Sequence, residues 1–314
     1  MTEIRGQCAD RFAASDAGGP EDSVRLARFA FRAGFPRPKR VFEPTGEAAL
    51  AKANGRKSIF ITGAASGMGR ETAKLFAAEG WFVGAFDVQQ DLLDSLATEL
   101  GIANGLFRRL DVTDRDAYRA AIDAFAEATG GKMDILFNNA GIGRGGPFAD
   151  MSWDDVRAVI EVNLVAVLSG THMAIPLLAA TPGSLCFSTS SSSATFGMAN
   201  IAVYSATKHA VKGFTEALSV ELKSRGVRVA DTLPGLIDTP ILPDVAKAGA
   251  PTEGMWRLMP ARAVAEAVWG AYHEDRIHWY VPPELRDFDL QATASPEGVR
   301  DAMAAGGGLF RQDD

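Results

Sequence analysis

The sequence predicts a doubly wound α/β fold, one parallel sheet of about seven strands with helices on both faces. Two observations carry that expectation. From Lys57 to Val281, short apolar runs alternate with amphipathic stretches, as repeated strand–helix units do. Gly63, Asp87, Asp111, Asn139, Ser191 and Gly235 each fall just after one of those runs. An open parallel sheet places its ligand crevice there, at the carboxyl ends of its strands.

The elements follow in order. Ser58–Thr62 is a short apolar run of strand type, and an amphipathic helix follows with Ala73, Phe76, Ala77 and Trp81 at core spacing. A second strand, Phe82–Phe86, ends at Asp87. Helix is then expected over 92–100, 117–128, 153–180 and 204–223. Strands are expected over 106–110, 133–137, 184–187 and 227–233. A helix over 261–272 and a strand over 277–281 complete the pattern. Three regions result: a leader (1–56), one catalytic domain (57–283) whose segment 236–259 is a lid, and a tail (284–314).

Composition narrows the function. The 314 residues hold 32 Lys+Arg against 39 Asp+Glu, a net charge of −7, which argues against a nucleic-acid binder. Two cysteines, Cys8 and Cys186, argue against a disulfide framework and leave a reducing compartment open. No apolar run in the sequence approaches the roughly twenty residues that span a bilayer, and no signal-peptide core is evident. The expectation is a cytoplasmic protein without a membrane span. The leader is basic from Arg25 to Arg40, with Arg25, Arg28, Arg32, Arg37, Lys39 and Arg40 and no acid between them. It reads as a mobile or surface-draped segment, with docking to an acidic partner or a membrane surface as the functional alternative. A transit peptide is disfavoured by Glu3, Asp10, Asp16, Glu21 and Asp22.

Gly63-Ala-Ala-Ser66-Gly67-Met68-Gly69 lies between a strand and a helix. In that context glycines let backbone N–H groups approach a pyrophosphate, and the helix start meets the anion with its positive end. Asp87 follows Gly69 by 18 residues, about where an acid accepts from a ribose 2′-hydroxyl. A carboxylate there repels an added phosphate, so NAD is expected rather than NADP. Tyr204 and Lys208 are four residues apart in a helical pattern, so phenol and ammonium can share a face. A free tyrosine, with a pKa of about 10, is a poor base; a close cation would favour the phenolate.

With these residues in place, the chain resembles the classical short-chain dehydrogenase/reductase family over residues 57–282. The resemblance rests on Thr62-Gly63-Ala-Ala-Ser66-Gly67-Met68-Gly69, Asp111-Val112, Asn138-Asn139-Ala140-Gly141, Asn163, Ser191, Tyr204 with Lys208, and Pro234-Gly235. It implies a Rossmann-type fold and a proton-transfer set of Asn163, Ser191, Tyr204 and Lys208. Tyr204 would be the acid/base and Lys208 would lower its pKa and bind the nicotinamide ribose. Ser191, 13 residues before the tyrosine, would hold the substrate oxygen, and Asn163 a relay water. Asp111 and Val112 would border the adenine. Asn139, Ala140 and Gly141 would line the cofactor, and Ile237 and Thr239 would meet the carboxamide.

The lid contains Pro240, Pro243, Gly249, Pro251 and Gly254, a loop-like composition. Leu242, Met255, Trp256, Leu258 and Met259 are expected to close over a bulky, apolar alcohol or ketone, with Gly143, Phe148, Met198 and Ile201 near the same opening. The equal alternative is that they only pack the lid on the body. The last strand runs into Pro282-Pro283 rather than a glycine-rich ending, which departs from the family and puts its tetramer contact in doubt. Helices around 156–174 and 203–222 still predict a homo-oligomer. His172, His209, His273 and His278 show no metal-ligand spacing. The leading function is an NAD-dependent dehydrogenase or carbonyl reductase acting on a small molecule. The alternatives are a non-catalytic dinucleotide sensor and a hydratase or isomerase on the same scaffold.

Overall fold

The computed structural model describes residues 51–307. The basic run Arg25 to Arg40 and Cys8 lie outside the described residues. The first strands and helices are β1 (Ser58–Thr62), α1 (Gly67–Ala78), β2 (Phe82–Asp87), α2 (Gln90–Leu100), β3 (Gly105–Arg109), α3 (Arg115–Thr129) and β4 (Ile135–Asn138). The middle of the chain gives α4 (Trp153–Ile160), α5 (Ala166–Ala179), β5 (Leu185–Thr189), α6 (Ala202–Glu221) and β6 (Arg228–Pro234). Then come β7 (Ile237–Asp238), α7 (Asp244–Ala248), β8 (Met259–Pro260), α8 (Ala261–His273), β9 (His278–Val281), α9 (Leu285–Ala294) and α10 (Pro296–Ala302).

Seven strands form one sheet in the order β3-β2-β1-β4-β5-β6-β9, and every pairing is parallel. The expected doubly wound sheet is therefore present. Chain order reverses between β1 and β4, which opens the crevice of such a fold above those two strands. β7 and β8 form a separate two-stranded ladder at the base of the lid.

Both faces of the sheet are covered, which is why its strands read as unbroken apolar runs. Ile59 and Ile61 enter one core with α1, α2 and α8 residues such as Phe76, Leu93 and Val268. Phe60, between them in sequence, enters the opposite core with Tyr118, Phe125 and Leu178. There Phe60 stacks on Phe86 at 4.1 Å between ring centres and meets Phe125 edge-on at 5.3 Å. Each buried phenylalanine contributes about 1.5–3 kcal/mol. Gly84 makes room for this cluster: a Cβ there would stand 2.6 Å from the Phe125 ring.

Several boundaries differ from expectation. Trp81 lies beyond the end of α1, yet is buried and meets Phe76 edge-on. The segment 153–179 contains a π-type turn, Glu161–Val165, centred on Asn163. Helix from Trp153 to Ala179 is long and apolar enough, by length and composition, to cross a membrane, with a mean hydropathy of 1.6. Polar residues interrupt this helix, so it does not stand out in the sequence as one unbroken apolar run. Its buried side chains, Val156, Val159, Asn163, Thr171, Met173, Ala174 and Leu178, place it as a core helix of this fold. The tail is helical in α9 and α10.

Candidate active site

The glycine turn after β1 has the backbone its residues require. Gly63 and Gly67 have φ of +66° and +51°, a region open to glycine at little cost. Gly69 has no such φ but no space either: a Cβ would collide with the Gly63 carbonyl oxygen and stand 2.7 Å from Asn139 Nδ2. Ser66 precedes α1 without capping it through its side chain, and no acid occupies the first helical turn. The start of α1 thus has neither a side-chain cap nor an acid in its first turn, an arrangement that suits a phosphate. Arg70 does not compete for that anion, because its guanidinium is bound to Glu99 at 2.6 Å.

Asp87 ends β2 and is buried. Its Oδ2 accepts from Ala65 N–H at 3.0 Å and its Oδ1 from Gln89 N–H at 3.0 Å. Each oxygen keeps a further lone pair. Asp111 is exposed after β3; the Thr113 hydroxyl and N–H both donate to it, which holds its carboxyl below the ordinary range. Val112, beside it, is half-buried.

Asn139, Ala140 and Gly141 follow β4. Thr62 Oγ1 accepts from Asn139 N–H and Ala140 N–H, both at 3.1 Å. Asn139 Nδ2 donates to the carbonyls of Thr62 and Gly63. The Asn139 side chain therefore ties β4 to the glycine turn. Thr62 is a site residue whose bonding role sequence reasoning missed. A Cβ on Gly141 would lie 3.3 Å from Asn163 Oδ1 and 4.0 Å from Lys208 Nζ, so this glycine sits between the two.

Asn163 is fully buried on its π-type turn. Its amide is consumed by one residue: Nδ2 donates to the Ile142 carbonyl at 2.9 Å and Oδ1 accepts from Ile142 N–H at 2.9 Å. Irregular turns of this kind often mark functional positions in helices.

Ser191 ends the loop after β5, and its oxygen accepts from Ser193 N–H at 3.1 Å. It is also hydrogen-bonded to the Tyr204 phenol. The neighbouring serines are engaged differently. Ser188 accepts from Asn138, and Ser190 donates to the Lys208 carbonyl at 2.9 Å. Ser193 Oγ is buried without a partner. α6 then presents Tyr204 and Lys208 from its first two turns.

Lys208 Nζ donates to the Thr189 carbonyl at 2.7 Å and lies 5.4 Å from the centre of the Tyr204 ring. Burial pulls the Lys208 ammonium down to about 8. Burial pushes the Tyr204 phenol up, with the Ser191 hydrogen bond opposing. This departs from the expectation of a phenol held acidic by the ammonium. The Lys208 ammonium lies over the ring face, and the push on the phenol is desolvation of the phenolate working against the Ser191 bond.

Tyr204, Ser191 and Thr189 line a cavity of about 480 Å³. Met68, Ile237 and Thr239 border it as well, as do Gly143, Met198, Ile201, Leu242 and Trp256. Phe148, Met255, Leu258 and Met259 are not part of that lining. Phe148 is largely exposed, and Met259 is drawn into β8 and packs on the core.

The chain resembles several known proteins. The family model described as short chain dehydrogenase matches residues 57–249. A 3-oxoacyl-(acyl-carrier-protein) reductase of Thermotoga maritima is 38 % identical over 61 % of this chain and 79 % of its own length. A 2,5-dichloro-2,5-cyclohexadiene-1,4-diol dehydrogenase of Sphingobium indicum is 39 % identical over 61 % of this chain and 78 % of its own. A solved short chain dehydrogenase/reductase of Burkholderia phymatum, in complex with NAD, superposes with a TM-score of 0.68 at 26 % identity, covering 79 % of this chain and 95 % of that one.

Proposed function

The chain belongs to the short chain dehydrogenase family, and on that premise we propose that it interconverts a secondary alcohol and its ketone, with NAD as the dinucleotide and a bulky, apolar group flanking the carbinol carbon. The observation that carries this reading is one cavity that holds Ser191 and Tyr204 among apolar walls of Met198, Ile201, Leu236, Ile241, Leu242 and Trp256. Polar atoms that fix orientation within an otherwise apolar cleft are typical of small-molecule sites.

In this reading the Gly63–Gly69 turn and the start of α1 hold the pyrophosphate, and Asp87 receives the adenosine ribose. Asp111 and Val112 border the adenine. Asn139, Ala140 and Gly141 line the path toward the nicotinamide, and Ile237 and Thr239 meet its carboxamide. When bound, the nicotinamide ring supplies the hydride acceptor or donor. Preference for NAD rests on Asp87, whose buried carboxylate would oppose a 2′-phosphate.

The chain's own work is proton transfer. Ser191 orients the substrate oxygen. Tyr204 takes the hydroxyl proton in oxidation and returns it in reduction. Lys208 steadies the phenolate as its charge develops and binds the nicotinamide ribose. Asn163 braces the Ile142 strap beside Lys208 and keeps the turn that would hold a relay water. Exposed Val165 and Leu168 on one helical stretch and Val220 on α6 support association with a second copy through those helices.

The deciding experiment follows absorbance of the reduced dinucleotide with a panel of alcohols and both nicotinamide cofactors. Cyclic, apolar secondary alcohols with NAD should outrun short polar ones. A preference for serine-like or short polar alcohols would reject the substrate class, and a preference for NADP would reject the role given to Asp87.

A further inference from the structure

Resting on that reading, we infer that the tail helix α9 is a clamp for the lid, and that Phe288 and Glu284 set substrate specificity by positioning Trp256 as a wall of the cavity. The lid needs an external hold. The only strand pairing in its stem, among the described residues, is the two-residue β7–β8 ladder. Its one helix, α7, has five residues. The remainder is rich in Pro and Gly, and the Lys247–Asp238 ion pair, at 2.9 Å, joins the lid only to its own stem.

Two contacts supply the hold. The Phe288 ring meets Trp256 edge-on, 5.3 Å between centres at 74°, a favoured aromatic geometry. On the next lid residue, the Arg257 guanidinium reaches Glu284 Oε1 at 3.0 Å and Oε2 at 3.5 Å. Trp256 itself lines the cavity that contains Tyr204 and Ser191. Neither Phe288 nor Glu284 lines it.

A clamp must be fixed at its other end, and α9 is. Leu285 is fully buried beneath it. Asp289, one residue beyond Phe288, accepts from Lys212 Nζ on α6 at 2.7 Å and from the Tyr280 hydroxyl on β9 at 2.6 Å. The helix that carries Tyr204 and Lys208 thus also carries the anchor of the clamp. The position of the Trp256 wall relative to the reacting oxygen is set through α9. A large apolar substrate would feel that wall; a small alcohol would not reach it.

The test has an arm that needs no substrate. In the full-length protein, Phe288→Ala and Glu284→Gln should speed tryptic cleavage after Lys247 and Arg257 at least about fivefold while the core stays intact. Unchanged cleavage in both variants overturns the clamp. In the second arm, Phe288→Ala should raise KM for cyclohexanol about fivefold or more and lower kcat much less. Phe288→Tyr should restore it. Trp256→Ala combined with Phe288→Ala should be no worse than Trp256→Ala alone, because the two act as one unit. Faster cleavage with an unaltered KM, or fully additive losses, overturns the specificity role. A wild-type protein that oxidises no alcohol in the panel rejects the proposed reaction instead, a result distinct from either.

Discussion

Ser191 is hydrogen-bonded to the Tyr204 phenol, and its oxygen at the same time accepts from Ser193 N–H at 3.1 Å. Accepting from the backbone leaves the serine hydroxyl proton free for the phenol. That bond is what opposes the upward push of burial on Tyr204. Ser191→Ala should therefore let the phenol rise further. Oxidation requires the phenolate, so the pH profile of kcat/KM should move to higher pH and its plateau should fall. Tyr204→Phe should lower turnover by about 10²–10⁴-fold, the scale of general acid–base catalysis. Binding of the reduced dinucleotide, read by its fluorescence, should persist in that variant. Turnover near the wild-type rate in the phenylalanine variant would falsify the assigned role.

Asp87→Asn removes the charge that, in the proposed reading, opposes a 2′-phosphate. The ratio of kcat/KM with NAD to that with NADP should fall at least about tenfold, about 1.4 kcal/mol of discrimination. A modest loss of thermal stability should accompany it, because the carboxylate also accepts from the N–H groups of Ala65 and Gln89. An unchanged ratio would mean that another group chooses the dinucleotide.

Gly69→Ala places a methyl group against the Gly63 carbonyl and Asn139. Backbone must move, and overpacking of this kind costs about 1–3 kcal/mol. A lower melting temperature is expected, with dinucleotide affinity falling more than alcohol KM changes. Retention of full affinity in isothermal titration would show that the turn is not the phosphate cradle.

His278 and Asp231 give the fold a pH dependence. Asp231 is fully buried, and burial lifts its carboxyl to about 6, with the His278 bond opposing. Burial pulls His278 down, but its 2.7 Å bond and charge attraction to Asp231 outweigh that and leave it raised. Glu216 faces His278 at 3.2 Å and Lys212 also acts on the pair. Both groups are raised on folding, so the folded chain holds protons that the unfolded chain has lost. For Asp231 the added stability is full only below about 3.8, and for His278 it is full below about 6.5. It is lost as pH climbs through about 6 for Asp231 and above 6.5 for His278. The melting-temperature advantage of wild type over His278→Gln should shrink between about pH 5.5 and 8. A constant or growing advantage over that range would contradict the sign.

The sheet was readable in the chain because each strand is covered on both sides, so Ile59, Phe60 and Ile61 are all apolar and stand out as a run. The glycine turn, Asp87, Ser191 and the Tyr204–Lys208 pair were readable because strand ends and helical spacing place them. Their electrostatics were not. Spacing gives proximity, but the upward push on Tyr204 comes from solvent exclusion by elements distant in sequence. The helix α9 escaped notice for a related reason. Leu285, Phe288, Asp289 and Ala292 share one face, but an acid interrupts the apolar stripe. Only the partners Lys212 and Tyr280, 77 and 9 residues away in sequence, make that acid a buried position.

The π-type turn at Glu161–Val165 has a consequence for how this chain tolerates length change. A turn of this kind accommodates one residue more than an α-helix, and each residue turns the helix by about 100°. Loss of any single residue there would let the segment relax into an ordinary helix and wheel everything beyond it around the axis. Asn163 would then lose its grip on Ile142, while α5 would turn a different side toward α3. Insertions and deletions in this helix are thus constrained by angle more than by distance, and the least conspicuous lesion, a lost codon in an apolar stretch, would be among the most damaging.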